Sequence, residues 1–520
     1  MSLASLPPCR LAPFHRAPPL SVLLLLLGLI APVAAATAEP PPVPAEELAE
    51  RRQAVMEAIG PDAVLVMLAP EAPPRNGDVS WPFRQDDDLY WLSGVAEPES
   101  ALVLMPGEER YRQVLFARDR DPLSEKWDGP IPEHETLAEV SGIEEVHSAG
   151  GALDLVEAAL AGWHWGESDL YRYFRTPVAP RVLDAVRRGD AELWLDLGKM
   201  GGSTGLRRGA TTPEQRLADR VREAFPGVTV RSATRLLADL REIKSPAEVA
   251  ILEHAIDLTE AGIRAGMARA LTAERENQVQ ASVEHAFRDL GACCWGFPSI
   301  VAAGANTTIL HYPPAEAPVP RDALVLLDVG ADYAGYTADI TRTFPADGTF
   351  SPEQREIYQA VLDTWNTLRP RMRPGVLMAD LHNQAVELLG EELLELGLVT
   401  ENTPEQVTWH YPHGLGHPLG LQVHDSFDRT RTFEPGMVWT LEPGIYVRPA
   451  DVEASPAFEA LPPEERAALR EALGRYGGIG VRIEDDLLIT DGAPRVLSDG
   501  TPREIDEIEA LMAEMAAAGE

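Results

Sequence analysis

ALVLLDVGADYAGYTADITRTF, residues 323–344, is the stretch on which the fold reading turns. An apolar run from Ala323 to Leu327 ends in Asp328, a turn bounded by Gly330 and Gly335 follows, and a second strand carries Asp339. Apolar runs of strand length around so short a turn predict a hairpin that returns Asp339 towards Asp328. A single buried aspartate at a strand end is usually a cap or turn residue. Two that converge repel each other unless a proton or a cation lies between them.

Downstream segments supply more groups of the same kind. In WHYPHGLGHPLGLQVHD (409–425), His413 and His417 are four apart, yet Gly414, Gly416 and Pro418 exclude a helix. The segment reads as a glycine-rich loop, with His424 seven residues on beside Asp425. Four of the chain's 12 histidines fall between 410 and 424, too dense a cluster for ordinary core or turn roles. In GMVWTLEPGIYV (436–447), Glu442 ends an apolar strand and is stopped by Pro443-Gly444. In GIGVRIEDDLLIT (478–490), Arg482 and Glu484 share one strand face and by themselves suggest a local ion pair. Asp328, Asp339, Glu442, Glu484 and His417 together make four hard carboxylates and one imidazole. That donor set suits Mn²⁺, Co²⁺ or Fe²⁺ better than a thiolate-loving ion. Four negative ligands exceed what one divalent ion needs, and two ions ~3.5–4 Å apart would use them, which points to metal-assisted hydrolysis.

Outward from these motifs, the organisation is α/β and then α+β. Apolar runs at Ala63–Leu68, Ala101–Met105, Val114–Ala117 and Leu193–Leu197 alternate with helical or turn-rich stretches up to about residue 240, after a first helix at 45–59. Ser245-Pro246-Ala247-Glu248 is a capping box that opens a long helix to about Ala270 and places a boundary near Lys244. The length of 520 residues leaves room for about three domains. With 45% hydrophobic and 24% charged residues the chain can build large cores. A net charge of −37 repels phosphate backbones and anionic headgroups, so neither nucleic acid nor a membrane surface is an expected partner.

Residues 1–38 read as a secretory signal: Arg10 and Arg16 without acids, the apolar core LSVLLLLLGLI (20–30), then small residues ending at Ala36-x-Ala38. Eleven apolar residues are short for a ~30 Å hydrocarbon core, so cleavage after Ala38 is favoured over an uncleaved anchor. The mature chain is then exported, periplasmic or secreted, with no membrane attachment. Its cysteines, Cys293 and Cys294, are neighbours; a trans peptide sets their Cα atoms ~3.8 Å apart, below the ~5.5 Å a disulfide prefers. They read as small core residues.

The order Asp-x10-Asp, HGLGH, EPG, RIEDD resembles the pita-bread metallopeptidases, among them aminopeptidase P, prolidase and methionine aminopeptidase, over residues 245–500. WPFRQDDDLYWLSGVAEPESALVLMPG (81–107) is similar to the N-terminal domain of bacterial aminopeptidase P, which methionine aminopeptidase lacks. The resemblance implies an α/β N-terminal domain with linker over 39–244 and an α+β pita-bread (creatinase/aminopeptidase-like) catalytic domain over 245–520. It implies two divalent metal ions, Mn²⁺ foremost. Asp328 would chelate one ion, His417 and Glu442 the other, and Asp339 and Glu484 would bridge both. By the same motifs His311, in SIVAAGANTTILHY (299–312), would stand near the leaving group. His413 and His424 would contact substrate and the tetrahedral intermediate, and Arg482 would orient Glu484. The activity implied is removal of the first residue from peptides with proline second, by attack of metal-bound hydroxide, in a homo-oligomer (dimer or tetramer). The alternatives are a prolidase confined to dipeptides and a non-catalytic pita-bread binding protein, against which five intact ligands argue. Two features depart from the family pattern: the long 449–478 segment, expected to affect access or assembly, and the order Tyr90-Trp91.

Overall fold

The computed structural model describes residues 42–166, 176–198 and 212–519; the export signal expected over 1–38 lies outside them. Helix Ala45–Ile59 runs over the span expected of it and closes on Gly60, whose positive φ lets its N–H reach back to Met56 O. Besides a short hairpin over 74–80, six described strands follow: β1 (Ala63–Leu68), β2 (Ala101–Leu104), β3 (Gln113–Ala117), β4 (Val146–Ser148), β5 (Glu192–Leu195) and β6 (Thr229–Ser232). They form one mixed sheet in the order β4-β3-β2-β1-β5-β6, with β1 antiparallel to β2 and parallel to β5. The central strands are apolar throughout because both faces are covered. Leu65 and Met67 pack with Val55, Leu89 and Leu92 on one side, whereas Val64 and Val66 pack with Leu155 and Val182 on the other.

Helix Pro246–Ala270 starts at the expected capping box: Ser245 Oγ accepts from Glu248 N at 3.2 Å, and Glu248 Oε2 accepts from Ser245 N at 2.9 Å. Glu248 does more than cap. It also accepts from Trp91 Nε1 (3.2 Å) and Tyr336 Oη (2.8 Å) and pairs with Arg51 at 3.1 Å, tying three chain regions together. Trp91 is thereby buried, and Tyr90 lies against the Gly335 turn of its own chain.

The strands beyond this helix are β7 (Cys294–Trp295), β8 (Ile300–Ala303), β9 (Leu324–Val329), β10 (Ala331–Tyr333), β11 (Tyr336–Thr337), β12 (Ile340–Pro345), β13 (Val438–Leu441), β14 (Gly444–Tyr446), β15 (Gly480–Arg482), β16 (Asp485–Leu488) and β17 (Arg495–Val496). They make small antiparallel sheets, β8-β9-β12, β11-β10-β7, β13-β16-β17 and β14-β15. Helices 246–270, 276–289, 352–368 and 378–395 share one apolar core with them. The 449–478 segment folds as three helices, the last being Pro463–Tyr476. Leu469 and Leu473 bury into the main core, and Arg475 pairs with Glu356 at 2.9 Å. Among the described residues, no helix is long and apolar enough to cross a membrane.

One expectation fails here. Cys293 is exposed and Cys294 half-buried, so the pair belongs to no core. Cys294 opens β7, an edge strand of its three-stranded sheet, and Cys293 lies just before it, so both stand at the sheet's margin.

The two sheet regions are also joined by a buried charge cluster. Arg241 donates to Asp88 and Asp425, both at 2.6 Å, and Lys244 Nζ reaches Asp425 at 3.1 Å. Burial pushes the Asp425 carboxyl up, but Arg241 and Lys244 outweigh it and hold the group below its ordinary value. Asp425→Asn leaves the Lys244 ammonium buried without its counter-charge. It is expected to lower the unfolding free energy by about 3–5 kcal/mol, measured by urea denaturation. An unchanged midpoint would show that the cluster is not holding the seam.

Candidate metal centre

Each acidic group of the centre stands at a strand end. Register pairs Asp328 with Thr341 and Val329 with Ile340, so Asp339, the residue before β12, returns to the end of β9. The connection is a second, smaller hairpin, β10–β11, and at Gly330 any Cβ would collide with Ala338 O. Glu442 follows the last residue of β13, and Glu484 lies between β15 and β16. The HGLGH loop lies across β13: Gly416 allows the close approach to Thr440 that a side chain would block. His417 N then donates to Thr440 Oγ1 at 3.1 Å.

His417 is oriented as a ligand. Its Nδ1 lies 3.2 Å from Pro418 O, which fixes the proton there and leaves the Nε2 lone pair facing the acids. From Nε2 the distances are 3.4 Å to Asp339 Oδ2, 3.8 Å to Glu442 Oε1 and 4.0 Å to Glu484 Oε1. Ligand atoms of Asp339, His417 and Glu484 all lie within 4.8 Å of one another. Asp328 adjoins this group from the Arg482 side, where the guanidinium Nη2 donates to its Oδ2.

The electrostatics are those of crowded anions. Burial first, then Asp328, Asp486 and Glu442, push Asp339 well above the usual carboxylate range. Glu484 rises for the same reason, burial first and then the repulsion of Asp339, Glu442 and Asp328. Burial also lifts Glu442 to about 7, against the pull of His417 and Arg482. Asp328 Oδ1 and Asp339 Oδ1 are buried and accept no hydrogen bond. Orphaned carboxylate oxygens in a shell of oxygens and one imidazole fit hard or borderline divalent cations.

The local pairing read from RIEDD is present only as a long contact, and Arg482 has closer partners. Its Nε is 3.9 Å from Glu484 Oε2, whereas its guanidinium bonds Asp328 and donates from Nη1 to Tyr446 Oη at 2.8 Å. Glu484 is held instead by Thr341 Oγ1 at 2.6 Å, and Arg482 Nε donates to that same Thr341 oxygen at 3.0 Å. Tyr446 lies 2.9 Å from His413 Nε2, and His413 Nδ1 lies 2.7 Å from Gly414 O. Burial and then Arg482 hold His413 down to about 3, so the ring is neutral. With one N–H aimed at Gly414 O, Nε2 must accept. The proton order therefore runs Arg482 to Tyr446 to His413.

His424 stands with its ring centroid 4.2 Å from that of His417 and is lowered to about 4 by burial, His417 and His311. His311 is exposed and acts on both His413 and His424, which places it at the same mouth. The structure thus gathers all nine sequence candidates at one place. Sequence reading missed Tyr446, Thr341 and Asp486, whose Oδ2 accepts from Asp339 N at 3.1 Å. Tyr446 lies inside the quoted EPGIYV and Asp486 inside RIEDD, but neither residue type by itself separates a core side chain from a buttress.

Comparison with known proteins agrees with this architecture. The family described as Metallopeptidase family M24 matches residues 250–491, and Aminopeptidase P, N-terminal domain, matches 48–163. The Xaa-Pro aminopeptidase of Escherichia coli (strain K12) is 31% identical over 488 residues, covering 90% of this chain and 97% of that one. That of Haemophilus influenzae is 32% identical over 480 residues, covering 90% and 98%. Among solved structures, Pseudomonas aeruginosa aminopeptidase PepP superposes with a TM-score of 0.74 at 30% identity, covering 91% of this chain and 99% of its own. Aminopeptidase P from E. coli with the inhibitor Pro-Leu gives a TM-score of 0.74 at 27% identity, covering 92% and 100%. An α/β N-terminal domain followed by a pita-bread catalytic domain is therefore the fold, and divalent metal chemistry is the family's. With likeness spanning both parts of the chain, and not the catalytic part alone, this protein belongs to the Xaa-Pro aminopeptidases of metallopeptidase family M24.

Proposed function

We propose that this aminopeptidase is an exported enzyme that uses two divalent ions, Mn²⁺ by preference, held by Asp328, Asp339, His417, Glu442 and Glu484, and removes the N-terminal residue from peptides with proline second. The observation that carries the reading is His417 Nε2 facing three carboxylates beside two orphaned carboxylate oxygens. Four carboxylates support two ions over one. Bound there, divalent ions would supply Lewis acidity towards the peptide carbonyl and make water a competent nucleophile near neutral pH.

The chain's own groups do the rest. Arg482 donates to Asp328 and, through Thr341, fixes the carboxylate of Glu484. Tyr446 and His413 form the wall behind Glu442, with His413 Nδ1 3.5 Å from its Oε2. Both His413 nitrogens are engaged, so direct contact with substrate falls to His424 and His311, which are exposed at the mouth. A neutral His424 can donate a ring N–H to charge developing on the carbonyl oxygen. The proline nitrogen leaves only when protonated, and His311, exposed at the mouth, is the group assigned to it. Export follows from the N-terminal signal, and a mature chain beginning at Glu39 in a homo-oligomer is expected from N-terminal sequencing and solution mass.

The decisive assay strips the protein with chelator, restores Mn²⁺ and times Ala-Pro-Ala against Ala-Pro. Metal-dependent release of alanine from the tripeptide is the expected result. Cleavage of the dipeptide alone would make the enzyme a prolidase. Silence on both, with metal bound, would overturn the catalytic reading.

A further inference from the structure

The Cys293–Cys294 pair lies outside the catalytic machinery, and its geometry is not that of two bystanders. Cys294 opens β7 and Cys293 immediately precedes it. Their sulfurs lie 2.9 Å apart, within about 0.9 Å of the S–S bond length. Two thiolates on one zinc ion, each at ~2.3 Å with tetrahedral angles, would stand roughly 3.7 Å apart. The nearest third donor is also occupied: Asp332 Oδ2 takes Arg84 Nη1 at 2.5 Å, and Oδ1 takes Gly335 N at 3.0 Å. The sulfurs are therefore placed for each other and not for a cation.

We infer that Cys293 and Cys294 close reversibly to a vicinal disulfide by exchange with a small-molecule disulfide. The pair is accessible, with Cys293 exposed and Cys294 half-buried. Hydrogen bonding from Cys293 holds the Cys294 thiol below its ordinary value, which makes Cys294 the attacking sulfur. Its thiolate attacks one sulfur of the external disulfide, and a mixed disulfide forms as one thiolate leaves. Cys293 then attacks the Cys294 sulfur and expels the second thiolate. The protein loses two electrons and two protons; the external disulfide gains both and becomes two thiols. Because a trans peptide holds the Cα atoms at ~3.8 Å, below the usual ~4.4–6.8 Å, the bond is strained and readily reduced, as a sensor requires.

The pair also has a route to the rest of the molecule. Cys293 Sγ lies 3.5 Å from Asp332 Oδ1, and Cys294 pairs with Asp332 across β7–β10. Asp332 in turn holds Arg84, which also donates to Leu421 O at 2.5 Å. Thiol state is thus read where the N-terminal sheet region meets the hairpin that carries Asp328 and Asp339.

The test treats the full chain with glutathione disulfide, alkylates it, and weighs the peptide between Arg288 and Arg321 with and without dithiothreitol. Expected is a peptide lighter by two hydrogens that takes no alkyl group, and after dithiothreitol takes two. A glutathione adduct, a peptide alkylated twice despite the oxidant, or a cross-linked dimer would overturn the inference. Cys293→Ser provides the second arm: Cys294, left without its resolving neighbour, should accumulate as the glutathione adduct. If the wild-type peptide stays a dithiol while this variant forms the adduct, the thiols exchange but do not close, and the inference fails.

Discussion

Arg482→Met is expected to lower turnover by at least about 10²-fold, which is ~2.7 kcal/mol of barrier, and to destabilise the chelated protein by about 3–5 kcal/mol. The guanidinium is buried among Asp328, Glu442 and Glu484, and without it those carboxylates lose the cation that faces them. Its work is divided among three nitrogens: Nη2 to Asp328, Nη1 to Tyr446, and Nε to Thr341, which holds Glu484. Methionine keeps much of the volume and none of these bonds. Arg482→Lys restores the charge but cannot serve three partners in a planar fork, so stability should recover further than turnover does. Thermal scans of chelated and Mn²⁺-loaded protein, with steady-state rates on Ala-Pro-Ala, separate the two effects. Metal added to the methionine variant should recover part of the lost stability, because cations then face the same carboxylates. Wild-type rates and midpoints in Arg482→Met would show that the fork is dispensable and that the proton order through Tyr446 and His413 has no catalytic weight.

The ligand set was legible because burial and charge conflict within a few residues. An apolar strand that stops on Asp328, and another that stops on Glu442, announce a carboxylate needing a partner, whatever the fold. Helix 246–270 was legible for a similarly local reason, its reciprocal cap at Ser245 and Glu248. Partners were not legible. Glu484 is two residues from Arg482, yet the close contact is with Asp328, 154 residues away, and that choice is made by how β15 packs against β9. Tyr446 is harder still. In EPGIYV it is an ordinary core aromatic, and its hydroxyl meets Arg482 only because β14 and β15 pair Gly444 with Arg482 and Tyr446 with Gly480. The cysteines fail in the opposite direction. Their small size suggested a core, whereas position at a sheet edge, which no local pattern encodes, left them in solvent.

Chelated protein is expected to become more stable as pH falls from about 8 to about 6, and metal-loaded protein to become less stable. Without metal, Asp339, Glu484 and Glu442 all have folded-state values raised above their unfolded ones. A raised group contributes stability that is complete below its unfolded value and is lost as pH climbs through its folded value. For Glu442 that window runs from 4.5 to about 7. By linkage the window corresponds to roughly 3 kcal/mol for this one group. Below about 4 the slope must turn over, because Asp425 and Asp485 are held low by buried cations and lose their contribution as they protonate. A maximum in mild acid follows for the chelated chain. Cations replace protons as the neutralising charge when metal is supplied. The ligands must then be ionised to bind, acid expels the metal, and stability rises with pH over the same range. Thermal scans across pH in chelator and in excess Mn²⁺ should therefore cross. Parallel curves would mean that the carboxylates are not repelling one another in the folded chain, and the electrostatic argument for a metal centre would lose its footing.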